Sequence, residues 1–580
     1  MRYLIAAVLF VAALVSGLLG LGDRTIWAPP ASHNISVSID TTAPYVVVPA
    51  KVLSAYPGKP EVTAKSKGAA FVAYGRENDV RAWIGNAHVL DLKLGESAAG
   101  VTTIEPATDR IGITGINPSG SDLWVEESRG QAKTSLVMTT RSDTAALIAT
   151  DGIGAAPGQI DFVWPIAHDL TYSNTMLYIA AGSGFAALVM LIIAMRHARI
   201  KRGPRRRTPK PPKGKRIKVR ANKELVKGRG RRSARNPIVG RVATGVTAFA
   251  LAASLAGCSL QLPGVAGDAA KASATPSVAP TQNVQPPAAV TRVQLERILA
   301  DVASVASKAD KANNRAMLTS RFAGPAFKLR SVNYVLRKKS KSIEAPLKIA
   351  ATPITFSLPA ATDTWPRTIM AVTDEPGQTN LPQMIVLQQA NPRENYKVWY
   401  VSRLLPGIKI PAVPTEDMGA IPVDAKSVFL KLAPNQLASA FGDVINKGRS
   451  SQSAGLFNLA NPFYEQVSTG QKAQTAALTD AKITFQHSLG DVNTLALATA
   501  DSGALVAVFM NDVYTIKPAK AGAAVAIDGQ EKLLLGTGGS TSGVRSIYGD
   551  MLFFYVPPVT SKKPIELLGA TQGLLTIKKL

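Results

Sequence analysis

The organisation of this chain follows from an internal stretch, residues 241–258, with the sequence RVATGVTAFALAASLAGC. Residues 242–257 are apolar or small, and Cys258 is the only cysteine among 580 residues. Such a run is short for a membrane-spanning helix and typical of the apolar part of a secretory signal. Small residues before a cysteine form the layout of a bacterial lipobox. The predicted lipobox residues are Leu255, Ala256 and Gly257, and Cys258 is the predicted lipidation site.

Two outcomes follow from this lipobox-like segment. If the signal is cut, the chain yields a membrane protein that ends near Gly257 and a lipoprotein that begins at Cys258. Two or three acyl chains on that cysteine are enough for stable anchoring, whereas one chain is marginal. The alternative is a cysteine that stands there by chance, in which case residues 242–258 are a third apolar anchor.

A strongly basic block precedes this segment. Residues 196–235 contain nineteen Lys and Arg and one acidic residue, Glu224, so they carry +18 of the net charge of +27. The positive-inside rule predicts that residues 196–241 form a disordered cytoplasmic loop. Contact with anionic lipid headgroups is a second interpretation of the block. A nucleic acid is the least favoured partner of the block, because the block has no interleaved aromatic residues.

Two more apolar segments lie upstream. Residues 1–22 are predicted to be an N-terminal transmembrane anchor, with a cleaved signal as the alternative. Residues 175–195 contain no charge and are followed at once by Arg196, which predicts a transmembrane helix. With the basic loop in the cytoplasm, residues 23–174 and the large C-terminal part face the outside of the cell membrane.

Residues 23–174 contain short β-branched runs separated by Gly, Pro, Asn and Asp clusters. This pattern predicts a small all-β external domain, a sandwich or a barrel. The predicted strands include residues 45–48 and residues 111–116.

The C-terminal half follows a tether, residues 259–289, that is rich in Ala, Pro and Ser. Thr291 and Gln294 have the spacing of a helix capping box. Helices followed by strands then occur twice, which predicts two tandem α+β units, residues 290–425 and 426–580, of a cystatin-like or NTF2-like kind. The sequence around residues 323–327 is echoed at residues 460–464.

Composition and motifs exclude several kinds of chemistry. A single cysteine rules out an intrachain disulfide, a multi-thiolate zinc site and a redox pair. The five histidines are scattered, and the sequence has no phosphate-binding loop, no nucleophile elbow and no D-x-D motif. We therefore predict no catalytic residue, no cofactor and no metal site. Asp374 and Glu375 are the most suggestive carboxylate pair, although a solvated turn is the favoured interpretation because Pro376 and Gly377 follow.

Several motifs resemble an uncharacterised family of actinobacterial membrane proteins. The resemblance covers nearly the whole chain, and its last two motifs are fairly specific. The motifs are residues 24–30 (RTIWAPP), 162–165 (FVWP), the Arg/Pro loop, 256–258 (AGC), 363–367 (DTWPR) and 391–398 (NPRENYKV). The resemblance implies a location in the cell envelope and a C-terminal domain of unknown function. Trp365 and the strand around residues 396–400 could line a ligand groove, but core or edge packing is favoured.

These features predict a non-catalytic envelope protein that presents external domains as a binding or scaffold protein. The predicted partners are membrane lipids and either an envelope protein or a cell-wall polymer. One alternative is an envelope enzyme, such as a glycosyltransferase-related protein, although the missing D-x-D motif speaks against it. The other is a binder of anionic lipid or nucleic acid through the basic loop.

Overall fold

The computed structural model describes residues 1–28, 30–96, 102–166, 169–201, 286–375 and 381–580. The chain divides into two compact units, one with Met1–Leu18 and Met176–Asn283, the other with Leu19–Thr175 and Val284–Leu580. The predicted lipobox, Cys258, most of the basic loop and most of the tether lie outside the described residues.

The N-terminal half contains two long helices with a strand-rich region between them. Its elements are α1 (Arg2–Arg24), β1 (Ser32–Ser38), β2 (Tyr45–Val48), α2 (Ala50–Leu53), β3 (Glu61–Arg76), α3 (Glu77–Ile84), β4 (Val89–Glu96), β5 (Thr102–Arg110), β6 (Glu126–Val137), β7 (Thr144–Ala149), β8 (Gln159–Pro165) and α4 (Thr171–Lys201).

Two helices of the described residues, α1 and α4, are long and apolar enough to cross a membrane. They cover the two predicted spans and extend beyond residues 175–195 at both ends of α4. The helices approach each other at small residues: a Cβ atom at Gly184 would lie 3.6 Å from the Ala13 Cβ, and one at Gly17 would lie 3.7 Å from the Ala180 Cβ. Small residues allow such close helix packing within membranes.

The predicted all-β region is confirmed, and its strands form one sheet in the order β1-β8-β3-β7-β2-β4-β5. Strand β3 has 16 residues, which lets it pair with β6 on one side and with β7 and β8 on the other. All pairs are antiparallel except β2 with β4. The edge strands β1 and β5 contact each other, so the sheet curls towards a barrel.

The predicted strand at residues 111–116 is wrong. Only Ile113 makes a bridge there, to Ala87. Gly112 and Gly115 explain the difference, because a Cβ atom at either glycine would lie 2.2 Å from a backbone carbonyl oxygen. The segment therefore passes close to the backbone at Asn86 and Gly152. Its β-branched residues do not pair with a strand of the sheet.

The C-terminal half is an α+β region, as predicted. Its elements are α5 (Arg292–Ala312), α6 (Gly324–Lys339), β9 (Ile354–Pro359), β10 (Arg367–Thr373), β11 (Gln383–Gln389), β12 (Lys397–Arg403), α7 (Leu437–Lys447), α8 (Pro462–Ala477), β13 (Ala481–Leu489), β14 (Leu495–Ala498), β15 (Ala504–Pro518), β16 (Val525–Ala526), α9 (Gly529–Leu535), β17 (Gly539–Ser540), β18 (Val544–Val556) and β19 (Glu566–Lys579).

Helices precede an antiparallel sheet twice in this region. Strands β9 to β12 form the first sheet, and β13, β14, β15, β18 and β19 form the second. The capping box predicted for Thr291 and Gln294 is present at the start of α5. The echoed sequences fall at the starts of α6 and α8, where each helix has a proline in its first turn. Likeness to a cystatin or NTF2 fold stays a prediction.

The two sheets of the C-terminal half share a core. Leu299 of α5 and Tyr400 of the first sheet belong to the same buried cluster as Phe509 and Phe553 of the second. A bridge between Leu404 and Gly569 also connects the end of β12 with β19. The two halves of this region are therefore joined by continuous apolar packing, while the second half also has a buried cluster of its own that includes Phe441 and Phe554.

Candidate functional site at the domain interface

Charged side chains are buried where the β region (residues 32–166) meets the C-terminal region (residues 286–580). At the end of β3 and the start of α3, Arg76 donates two hydrogen bonds to Asp79, of 2.9 and 3.0 Å. From the C-terminal region, Arg367 Nη2 donates to Asp79 Oδ1 at 2.7 Å. The side chains of Arg367 and Asp79 are only 0 and 2 % exposed. One carboxylate is thus held by guanidinium groups from both regions.

The DTWPR motif supplies the C-terminal side of this contact. The Arg367 guanidinium lies 3.7 Å from the centre of the Trp365 ring. Trp365 also packs against the apolar face of the β region that contains Trp83 and Trp124, and its indole N–H donates to Gln389 Oε1 at 2.8 Å. The packing interpretation of Trp365 was therefore the better one, with the β region as part of the packing surface.

A second buried ion pair joins the two regions at Asp122. Arg321 Nη1 donates to Asp122 Oδ2 at 2.5 Å, and the Tyr396 N–H donates to the same oxygen at 2.8 Å. Both charged side chains are less than a tenth exposed. Arg321 Nη2 also contacts Asp301 of α5 at 3.0 Å. Asp122 therefore ties a loop of the β region to two elements of the C-terminal region.

The NPRENYKV motif completes the interface. Arg393 donates to the backbone carbonyls of Trp83 and Ile84 at 2.9 and 2.8 Å. Asn395 accepts from the Asp122 N–H at 3.0 Å and donates to the Gly120 carbonyl at 2.9 Å. These bonds connect the C-terminal region to backbone groups at the end of α3 and in the 118–125 loop.

The charges of this interface influence one another. Burial by itself lowers the pKa of Arg76, but the carboxylates of Asp79 and Asp363 raise that pKa above its ordinary value. Burial raises the pKa of Asp122, while Arg321 and the Tyr396 amide counteract the rise. The opposite charge across the interface is therefore what favours an ionised Asp122.

A groove of about 890 Å3 opens beside these ion pairs, between the two regions. Its lining combines apolar residues such as Tyr74, Val125 and Val293 with the charged side chains of Arg76, Arg141, Arg297, Glu126, Glu127, Asp143 and Asp417. A concave surface with both apolar and polar groups is the usual form of a binding site.

A different buried polar cluster lies within the second sheet. His487 Nε2 contacts Asp512 Oδ1 at 3.0 Å, and the fully buried carboxylate of Asp550 lies beside Asp512, with the Gln572 side chain as the polar group that favours its ionised form. Burial and the neighbouring Asp512 raise the pKa of Asp550 well above its ordinary value. Helix α7 covers the cluster so closely that a Cβ atom at Gly442 would lie 2.2 Å from the His487 Cβ. The cluster therefore belongs to the core.

The carboxylate pair Asp374 and Glu375 is not gathered into a site. It follows the end of β10, where Glu375 pairs with Lys348 and Asp374 accepts from the Glu375 N–H at 2.9 Å. No group of three or more His, Cys, Asp or Glu side chains within the described ranges could hold a metal ion.

Comparison with known families assigns the C-terminal region. A family model described as "Domain of unknown function (DUF8094)" matches residues 286–579, which is half of the chain. The chain belongs to this family. A search of curated proteins finds no match. The DUF8094 region therefore carries both of the more specific motifs, DTWPR and NPRENYKV, at its contact with the β region.

Sequence reasoning singled out these two motifs but missed what they contact. Asp79 and Arg367 are 288 positions apart and Asp122 and Arg321 are 199 positions apart, so no local pattern connects the partners. The useful signal was the presence of Arg and Asn beside aromatic residues in short specific motifs. Such combinations are typical of contact surfaces.

Proposed function

We propose that this chain is a membrane-anchored, non-catalytic scaffold of the cell envelope, in which the β region and the DUF8094 region form one constitutively joined external body. The observation that carries the proposal is the pair of buried contacts between the regions, Arg367 with Asp79 and Arg321 with Asp122. Removing one partner of a buried ion pair leaves an uncompensated charge, which costs about 3–5 kcal/mol. Separation of the regions would return both pairs to water, so the pairs contribute mainly by fixing which surfaces of the two regions meet.

The interface also supports a common location for both regions. In chain order, α1 precedes the β region and α4 follows it. If both helices cross the membrane, the chain after Lys201 lies on the side of the membrane opposite to the β region. The DUF8094 region, which packs against the β region, must then be reached by a third crossing. Residues 242–257 are the only long apolar run between residues 202 and 285. This supports a signal or anchor at that place, with the basic loop in the cytoplasm.

Lipidation of Cys258 belongs to the same proposal. Cleavage before Cys258 would produce two chains, and the buried ion pairs would keep them together as one complex. The acyl groups would then anchor the DUF8094 region to the membrane independently of α1 and α4. An envelope protein or a cell-wall polymer would be the partner of this body, and the groove between the two regions offers a surface for it.

The decisive experiment cuts the chain and asks whether the regions stay together. A specific protease site is inserted near residue 270 in the full chain, which carries a different tag at each end. After solubilisation in detergent and cleavage, the N-terminal tag is used for purification. We expect the C-terminal fragment to co-purify through its buried contacts with the β region. No predicted apolar anchor remains on this fragment, so retention in the detergent micelle would not explain its co-purification.

Two variants sharpen this test. The double variant Arg367→Ala/Arg321→Ala removes a partner from both ion pairs, and we expect the fragments to separate. The control Lys520→Ala removes an exposed lysine that pairs with Asp480 far from the interface, and here the fragments should stay together. If the wild-type fragments separate on cutting, the scaffold proposal is wrong.

A second experiment tests processing. Immunoblots of cells follow both tags in the wild type and in Cys258→Ala. A C-terminal fragment of about 320 residues that takes up labelled fatty acid only in the wild type would support cleavage and lipidation. A single full-length band without lipid would leave a three-anchor protein with the same interface.

A further inference from the structure

Two paired loops of the DUF8094 region expose an apolar tip. Val428 and Phe429 are each 77 % exposed, and Val559 is 58 % exposed. The loops, residues 424–432 and 557–564, are joined by backbone hydrogen bonds from Val559 N to the Phe429 carbonyl and from Lys431 N to the Pro557 carbonyl, both 2.9 Å long. The next residue, Leu430, is buried in the core. The apolar side chains are therefore presented to solvent by an ordered backbone.

The same loops are cationic. Lys426, Lys431, Lys562 and Lys563 lie in them, against Asp424 as the single acidic residue of the two stretches. Lys426, Lys562 and Lys563 are exposed, and Lys431 donates to the Lys563 carbonyl, which fixes one loop against the other. The exposed apolar tip is thus surrounded by positive charge.

We propose that these loops form a docking tip for a membrane surface that contains anionic lipid, with Phe429 and its apolar neighbours entering the interfacial layer. Lysine side chains can bury their stems and keep their ammonium groups at the headgroups, and basic residues near anionic lipid add to the attraction. Protein–protein interfaces are instead depleted of lysine, and three apolar side chains cover far less area than a stable protein interface needs. The combination therefore favours lipid over a protein partner.

A dye at the tip tests this directly. The full chain with Cys258→Ser and Phe429→Cys carries one thiol, which is labelled with an environment-sensitive fluorophore. The protein is embedded in nanodiscs that contain either zwitterionic lipid only or one-third anionic lipid. Anionic vesicles with a nitroxide-labelled lipid are then added to the zwitterionic discs. This arrangement detects insertion into the protein's own bilayer and into a second one.

If the tip enters the bilayer in which the protein is embedded, we expect a blue shift of emission in the anionic discs. If the tip enters the second bilayer, we expect quenching by the added vesicles. Lys562→Glu/Lys563→Glu should weaken the response by at least fivefold for each lysine, since each contributes about 1 kcal/mol near an anionic surface. A label at Met317→Cys, another partly exposed apolar residue, should not respond. High salt should reduce the tip response by screening the lysines.

Two results would overturn the proposal. One is emission that stays the same in every lipid composition. The other is a blue shift in zwitterionic discs that grows with protein concentration and ignores anionic lipid, because that pattern indicates contact between protein molecules. Thermal unfolding of the unlabelled Phe429→Cys chain serves as the folding control, since the Phe429 side chain lies largely outside the core.

Discussion

Asp79 at the interdomain interface and Asp550 in the second sheet are both almost completely buried, but their surroundings differ. Asp79 accepts hydrogen bonds from Arg76 and Arg367, whereas the Asp550 carboxylate lies beside another carboxylate, Asp512, and has only the neutral Gln572 side chain to favour its charge. Nearby cations and hydrogen-bond donors favour the charged form of a buried acid, and a neighbouring carboxylate disfavours it. At Asp79 one cation, Arg76, is local and the other, Arg367, comes from a distant part of the chain, so this ion-pair cluster joins two regions.

The largest effect is expected for Arg367→Ala. Its loss leaves Asp79 buried with Arg76 as its remaining ion-pair partner, and we expect the free energy of unfolding to fall by about 3–5 kcal/mol. Denaturant unfolding of the full chain in detergent measures this. Lys520→Ala is the matched control, because that lysine and its partner Asp480 are 76 and 65 % exposed and exposed pairs contribute little. If both substitutions lowered the free energy of unfolding equally, the buried pair at the interface would be no more stabilising than an exposed pair, and the prediction would be wrong.

A double-mutant cycle at Asp122 and Arg321 should give the next largest effect. We expect each of Asp122→Asn and Arg321→Met to destabilise the chain, and the double variant to be less damaged than the sum by about 1–3 kcal/mol. The physical reason is that the second substitution removes the charge left unpaired by the first. Additive effects in the same unfolding assay would show that the pair does not couple the two regions.

Arg393→Ala tests the hydrogen bonds of the interface whose acceptors are uncharged backbone carbonyls. It removes two hydrogen bonds from a charged group to the carbonyls of Trp83 and Ile84, which we expect to cost about 1.5–3 kcal/mol. The control is Arg403→Ala, at an exposed position at the end of β12. The cut-and-co-purify assay should show weaker retention of the C-terminal fragment for Arg393→Ala and none of this loss for the control.

Asp550→Asn should have the smallest effect and a pH dependence of its own. The folded-state pKa of Asp550 lies above its unfolded value, so the wild type loses stability as the pH rises through the folded pKa. Asparagine does not titrate. We therefore expect the stability of the variant relative to the wild type to increase from pH 5 to pH 8. A difference of the same size at both pH values would show that Asp550 is not the titrating group.

The sequence was informative wherever a feature is local. The capping box at Thr291 and Gln294 needs only four consecutive positions, and it forms as predicted. The apolar helices α1 and α4 depend on composition over about twenty residues, which a sequence displays directly. Residues 111–116 show the limit: they have the composition of a strand, but close backbone contacts at Gly112 and Gly115 decide their position.

By itself, the sequence determined the order of apolar, basic and folded segments, the all-β and α+β character of the two regions, and the absence of common catalytic motifs. Tertiary structure alone decided that these regions share one interface. The reason is physical: Asp79 with Arg367 and Asp122 with Arg321 meet only after both regions have folded. Local sequence propensity does not indicate such distant partners. The energetic effect of each pair depends on its burial, which exists only in the completed fold.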